Sequence, residues 1–133
     1  MPVEFKYLVW SVALFFVMIL AQSVSSIFSG KATPAELVGH RDNLPPQGLT
    51  PFHGRARRAQ QNMIEAMCMF VPLVLVAAVT DSFSPTTALG ATLFFWGRLV
   101  FAPLYWFGVP WLRTLVWFAS IAGILMILWE LLT

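Results

Sequence analysis

The sequence predicts an all-α membrane protein, a transmembrane four-helix bundle in a single domain over residues 1–133. Three observations carry that expectation. Only 11% of the residues are charged while 59% are hydrophobic, and the mean hydropathy is +0.77, the profile of an integral membrane protein rather than a soluble domain. The apolar runs are long enough to span a bilayer. Proline, glycine and charge separate them at turn-like positions.

The 22 residues from Tyr7 to Phe28 carry no charge. At about 1.5 Å per residue they cross roughly 30 Å of hydrocarbon, so a first span is expected over about 6–28. The run is too long, and Lys6 with Glu4 too weakly basic, for a cleaved signal peptide, so the helix is expected to be retained. Ser29 to Pro51 then reads as a long polar connection rich in Gly, Pro, Asn and charge. A second span is expected over 51–80, with Thr50 as cap, Pro51 in the first turn and a bend at Pro72. Asp81 to Pro85 reads as a tight turn.

From Ser82 to Trp129 only Arg98 and Arg113 are charged. One helix of that length would measure about 72 Å, far more than a bilayer requires. Gly108-Val109-Pro110 is the natural break, giving spans over about 85–107 and 110–132, the third kinked at Pro103.

Seven of the eight Lys and Arg residues, all but Lys6, fall in stretches that belong on one face of the membrane. The positive-inside rule therefore places the first and third connections in the cytoplasm and both termini outside.

Charges kept at membrane depth mark a functional-site hypothesis, because each costs about 2.5–3.5 kcal/mol at the bilayer centre on insertion scales. On the second span Arg55, Arg58, Asn62 and Glu65 lie within roughly an 80° sector, one polar stripe on an apolar rod. Arg98 sits about ten residues before the end of the third span, too deep to snorkel easily, and Glu65 is the acid at comparable depth. Arg113 opens the fourth span on the same side. The excess is cationic, which suits an anionic ligand entering from the cytoplasm, since Arg holds carboxylates bidentately. Glu65 and Arg98 as a structural pair, with the other arginines anchoring at headgroups, is the competing reading. Tyr105 likewise reads as an interfacial-belt aromatic or as a hydroxyl lining the site.

Other chemistries find little support. His40 and His53 lack companions at ligand spacing, so no metal site is expected, and Cys68 reads as a small packed hydrophobe. No Ser/His/Asp or Cys/His arrangement and no phosphate loop appears, and an embedded basic cluster does not suit nucleic acid.

Arg58-Ala-Gln-Gln-Asn62-Met-Ile-Glu65 at the start of the second span resembles the Arg-x-x-x-Asn-x-x-Glu signature of the MAPEG family, the membrane-associated proteins in eicosanoid and glutathione metabolism. Gly97-Arg98, Tyr105 seven positions on, and Arg113-Thr114 resemble that family's third and fourth helices. Gly39-His40-Arg41-Asp42-Asn43-Leu44-Pro45, followed by Arg55-Ala-Arg57-Arg58, is similar to its bacterial members. The resemblance implies a homotrimer in the bacterial inner membrane that holds glutathione as co-substrate between neighbouring subunits. It implies glutathione binding by Arg55, Arg58, Asn62, Glu65, Arg98, Tyr105 and Thr114, and thiolate stabilisation by Arg113. Membrane lipid and a lipophilic electrophile or hydroperoxide are the further implied partners. Trp117 stands four residues after Arg113, where eukaryotic members can have a tyrosine that contacts glutathione. The implied activity is a glutathione-dependent transferase or peroxidase of the microsomal type. A non-catalytic protein of the same scaffold that binds an anionic lipid or another acidic ligand is the alternative.

Overall fold

In a computed structural model that describes every residue except 41, 43 and 46, the chain forms four long helices and one short one. Arg41 and Asn43, part of the loop motif quoted above, therefore lie outside the described residues. The long helices are α1 (Val3–Ile27), α3 (Pro51–Val79), α4 (Pro85–Trp106) and α5 (Pro110–Leu132), each long and apolar enough to cross a membrane. The short helix α2 (Pro34–Val38) lies in the first connection and was not expected there. Its start is a capping box in which Thr33 accepts from the Glu36 amide and Glu36 accepts from the Thr33 amide.

Local chemistry sets the helix limits. Thr50 and Ser84 cap α3 and α4, each followed by proline in the first turn. At the end of α4, Gly108 takes φ +74°, its amide donates to the Tyr105 carbonyl, and the Val109 amide donates to that of Leu104. This Schellman arrangement reverses the chain in three residues, so α5 returns antiparallel. Asp81, at φ +53°, plays the same part between α3 and α4. Along the last turns of α1, Ser25, Ser26 and Ser29 each donate the hydroxyl to a carbonyl three residues back.

α3 and α4 are the central pair. α1 packs against both on one side and α5 against both on the other, while α1 and α5 make no contact among the described residues. The buried face of α3 runs Ala56, Ala59, Met63, Ala66, Phe70, Val74 and Ala77, at helical spacing of three and four. Phe70 stacks on Phe94 of α4 with ring centroids 3.9 Å apart. α4 and α5 approach most closely, through Gly90, Gly97, Ser120 and Gly123: a methyl built on Gly123 would lie 2.3 Å from the Gly90 carbonyl oxygen. Small residues permit such contact where lipid supplies no hydrophobic drive between helices.

At the end of the bundle holding both termini, Glu4 is buried and accepts the Thr87 hydroxyl at 2.7 Å. The same Thr87 oxygen accepts from the Ser84 amide in the α4 capping box. Thr87→Val is expected to destabilise the protein by on the order of 1–3 kcal/mol, because it strands a buried carboxyl group. Thr87→Ser should recover most of the loss in unfolding experiments in detergent.

Candidate functional site

The opposite end of the bundle carries the first connection, the starts of α3 and α5 and the end of α4, and holds most of the basic residues. At about 100° per residue, Asn62 borders one edge of the buried face of α3 while Gln60 borders the other. Polar groups consequently gather on two sides of the helix.

The first group links α3, α4 and α5. Arg98 is 1% exposed. Its Nη1 donates to Oδ1 of Asn62, and its guanidinium lies 5.9 Å from the Phe94 ring centroid and 5.1 Å from that of Phe101. Nε of Arg98 is buried without a hydrogen-bond partner among the described residues. The expected Glu65–Arg98 ion pair does not form among the described residues: Glu65 is exposed and attracts the guanidinium from beyond contact distance. The cause lies in helical phase. Glu65 sits about 60° farther from the buried face than Asn62, so the amide is the group that an inward arginine meets.

The Phe101 ring is 5.4 Å from that of Tyr105, and the Arg113 guanidinium is 4.4 Å over the Tyr105 ring. A contact chain therefore leads from Asn62 through Arg98, Phe101 and Tyr105 to Arg113. Tyr105 is half-buried, and its ring face carries the Arg113 cation. Arg113 lies in the first turn of α5, whose N-cap residue, Val109, supplies no side-chain acceptor. The positive end of the helix dipole and a guanidinium thus occupy the same place, an arrangement that favours an anion. Trp117, half-buried, packs against the core beside them.

Other residues of the expected site are engaged elsewhere. Nε of Arg55 donates to the Trp106 carbonyl at 2.9 Å, placing a cation on the C-terminal end of α4 and against Gly108. Thr114 is exposed and donates its hydroxyl to the Pro110 carbonyl at 3.0 Å. Arg58 belongs to the second group.

That group lines a cavity of about 320 Å³ bounded by Gln22 of α1, Gln47 of the connection, and Gly54, Arg57, Arg58, Gln60 and Gln61 of α3. Among the described residues two arginines and no carboxylate line it, and Oε1 of Gln60 is buried with no partner among them. His53 closes the neighbouring wall. Its Nδ1 accepts the Leu49 amide at 2.9 Å, and its Nε2 lies 3.1 Å from the Gln22 side-chain amide. In a neutral ring that accepts at Nδ1 the proton is on Nε2, the nitrogen that faces the Gln22 side-chain amide. Sequence reasoning missed Gln22 and Gln60 because it searched the spans for charge. A glutamine inside an uncharged 22-residue run was the available signal.

Fold and site together define a helical membrane protein with an arginine-rich layer at one end of its bundle. The model of the MAPEG family matches residues 7–133, and the chain belongs to that family, which includes glutathione-dependent transferases and peroxidases as well as members that are not catalytic. No curated protein and no solved structure matches the chain.

Proposed function

We propose that the protein is a glutathione-dependent transferase or peroxidase of the bacterial inner membrane. In this reading it acts as a homotrimer on a lipophilic electrophile or hydroperoxide, with the arginine-rich end in the cytoplasm. The observation that carries the reading is Arg113, seated over the Tyr105 ring at the start of α5, where the N-cap offers no side-chain acceptor. Guanidinium and helix dipole both favour a thiolate over a thiol, and the thiolate is the nucleophile a transferase uses. Glutathione carries two carboxylates and one ammonium, a charge pattern that several arginines and the single acid Glu65 complement.

Arg58 faces a cavity on the α1 side of α3, whereas Arg113 lies beyond α4. In the proposed trimer, adjacent subunits would join the two groups. Thr114 and Arg55, each bonded within its own subunit, are assigned to the rim of the site.

Calorimetric titration with glutathione and turnover of a generic aryl halide by the purified protein test the proposal. Binding with turnover is the expected result. The cavity lined by Arg57 and Arg58 favours one second reading, a non-catalytic protein that holds an anionic lipid. Retained phospholipid in native mass spectra, with no glutathione bound at millimolar concentration, would decide for it.

A further inference from the structure

Asn62 is a neutral amide with two chemically different ends, an acceptor oxygen and a donor NH2. Its neighbour Arg98 has donors only and cannot be deprotonated in an ordinary protein setting. The buried guanidinium takes the Asn62 oxygen, and no acceptor for the Asn62 Nδ2 is recorded among the described residues. Reversing the amide would set NH2 against guanidinium, donor against donor. Phe94 and Phe101 flank Arg98 from α4, so the guanidinium cannot readily turn away from Asn62.

We propose that Arg98 is a positioning residue and not a ligand contact: it fixes the sense of the Asn62 amide, so that position 62 offers only a hydrogen-bond donor to whatever binds. The site thereby selects an acceptor, a carboxylate or carbonyl oxygen, and discriminates against an ammonium at that point. Glu65, exposed on the same flank, is the complementary place for an ammonium. The amide orientation stands independently of the ligand; its use by a glutathione carboxylate or carbonyl rests on the function proposed above.

The chain has two asparagines, Asn43 and Asn62, so protein labelled with 13C,15N-asparagine in nanodiscs gives a readable side-chain spectrum. In Arg98→Met, which cannot donate, the Asn62 13Cγ resonance should shift and glutathione affinity should fall at least tenfold. The pH profile of kcat, set at Arg113, should stay in place. Arg98→Lys keeps a group with donors only and should restore most of both readouts, a pattern that loss of packing alone does not produce. Asn62→Asp preserves the partner of Arg98 but turns a carboxylate oxygen outward, and it should weaken glutathione binding more than tenfold.

An unchanged 13Cγ resonance in folded Arg98→Met overturns the proposal. If that variant does not fold, wild-type glutathione affinity in Asn62→Asp overturns it instead. A wild-type protein that binds no glutathione removes the proposed function, and the 13Cγ shift then decides the amide orientation alone.

Discussion

Arg113→Leu is expected to lower glutathione-dependent turnover by about 10²–10³-fold, the usual loss when one donor to a developing or resting anion is removed. The sign follows from charge. A cation beside sulfur stabilises S⁻ relative to SH, so under the proposed function bound glutathione is expected to ionise below the ordinary thiol value of about 8.5. Without the guanidinium, the fraction of thiolate at neutral pH falls, and activity should recover only as the pH is raised through the ordinary thiol range. The thiolate absorbance of bound glutathione should fall in parallel with turnover. Arg113→Lys should keep part of the effect, because it retains the charge but loses the planar face laid over Tyr105. Equal turnover in wild type and Arg113→Leu would remove Arg113 from the mechanism.

The largest expected effect on stability comes from a single methyl group. Gly123→Ala places a Cβ 2.3 Å from the Gly90 carbonyl oxygen and 2.9 Å from the Phe94 amide nitrogen, both backbone atoms that no rotamer change can move. α4 and α5 must then separate, opening the packing of Phe94 and Ile127 on both sides. Overpacking of a well-fitted contact costs about 1–3 kcal/mol and occasionally more, and a backbone clash belongs at the upper end. Ala122→Leu, one residue away on the exposed face, should leave stability close to wild type. Denaturant unfolding of both variants in the same detergent is the comparison to make.

The four spans were legible in the sequence because membrane helices are long, apolar and bounded by prolines at their first turns. Pro51, Pro85 and Pro110 all fall where expected, at the first helical position. The short α2 was missed although Thr33 and Glu36 have capping-box spacing, because five residues cannot display a periodicity. The polar stripe was legible as a face of α3, but its assignments were not. Helical phase groups Arg55, Arg58, Asn62 and Glu65; only tertiary packing decides which of them meets Arg98. Charge complementarity favoured Glu65, whereas the position of Asn62 beside the buried face put an amide there instead. The cavity around Gln22 needed α1 and α3 side by side, information that no local pattern contains.

The serine-rich end of α1 bears on how the protein tolerates membranes of different thickness. Ser25, Ser26 and Ser29 hold their hydroxyl hydrogens on carbonyls of their own turns, so this stretch exposes neither charge nor a bare donor to its surroundings. It can lie among headgroups or sink among acyl chains with little difference in solvation. The start of α4, held by Ser84 and by the buried Glu4–Thr87 contact, has no such latitude. Hydrophobic mismatch should therefore be taken up at the serine turns of α1, allowing bilayer thickness to vary while the arginine-rich layer keeps its internal geometry.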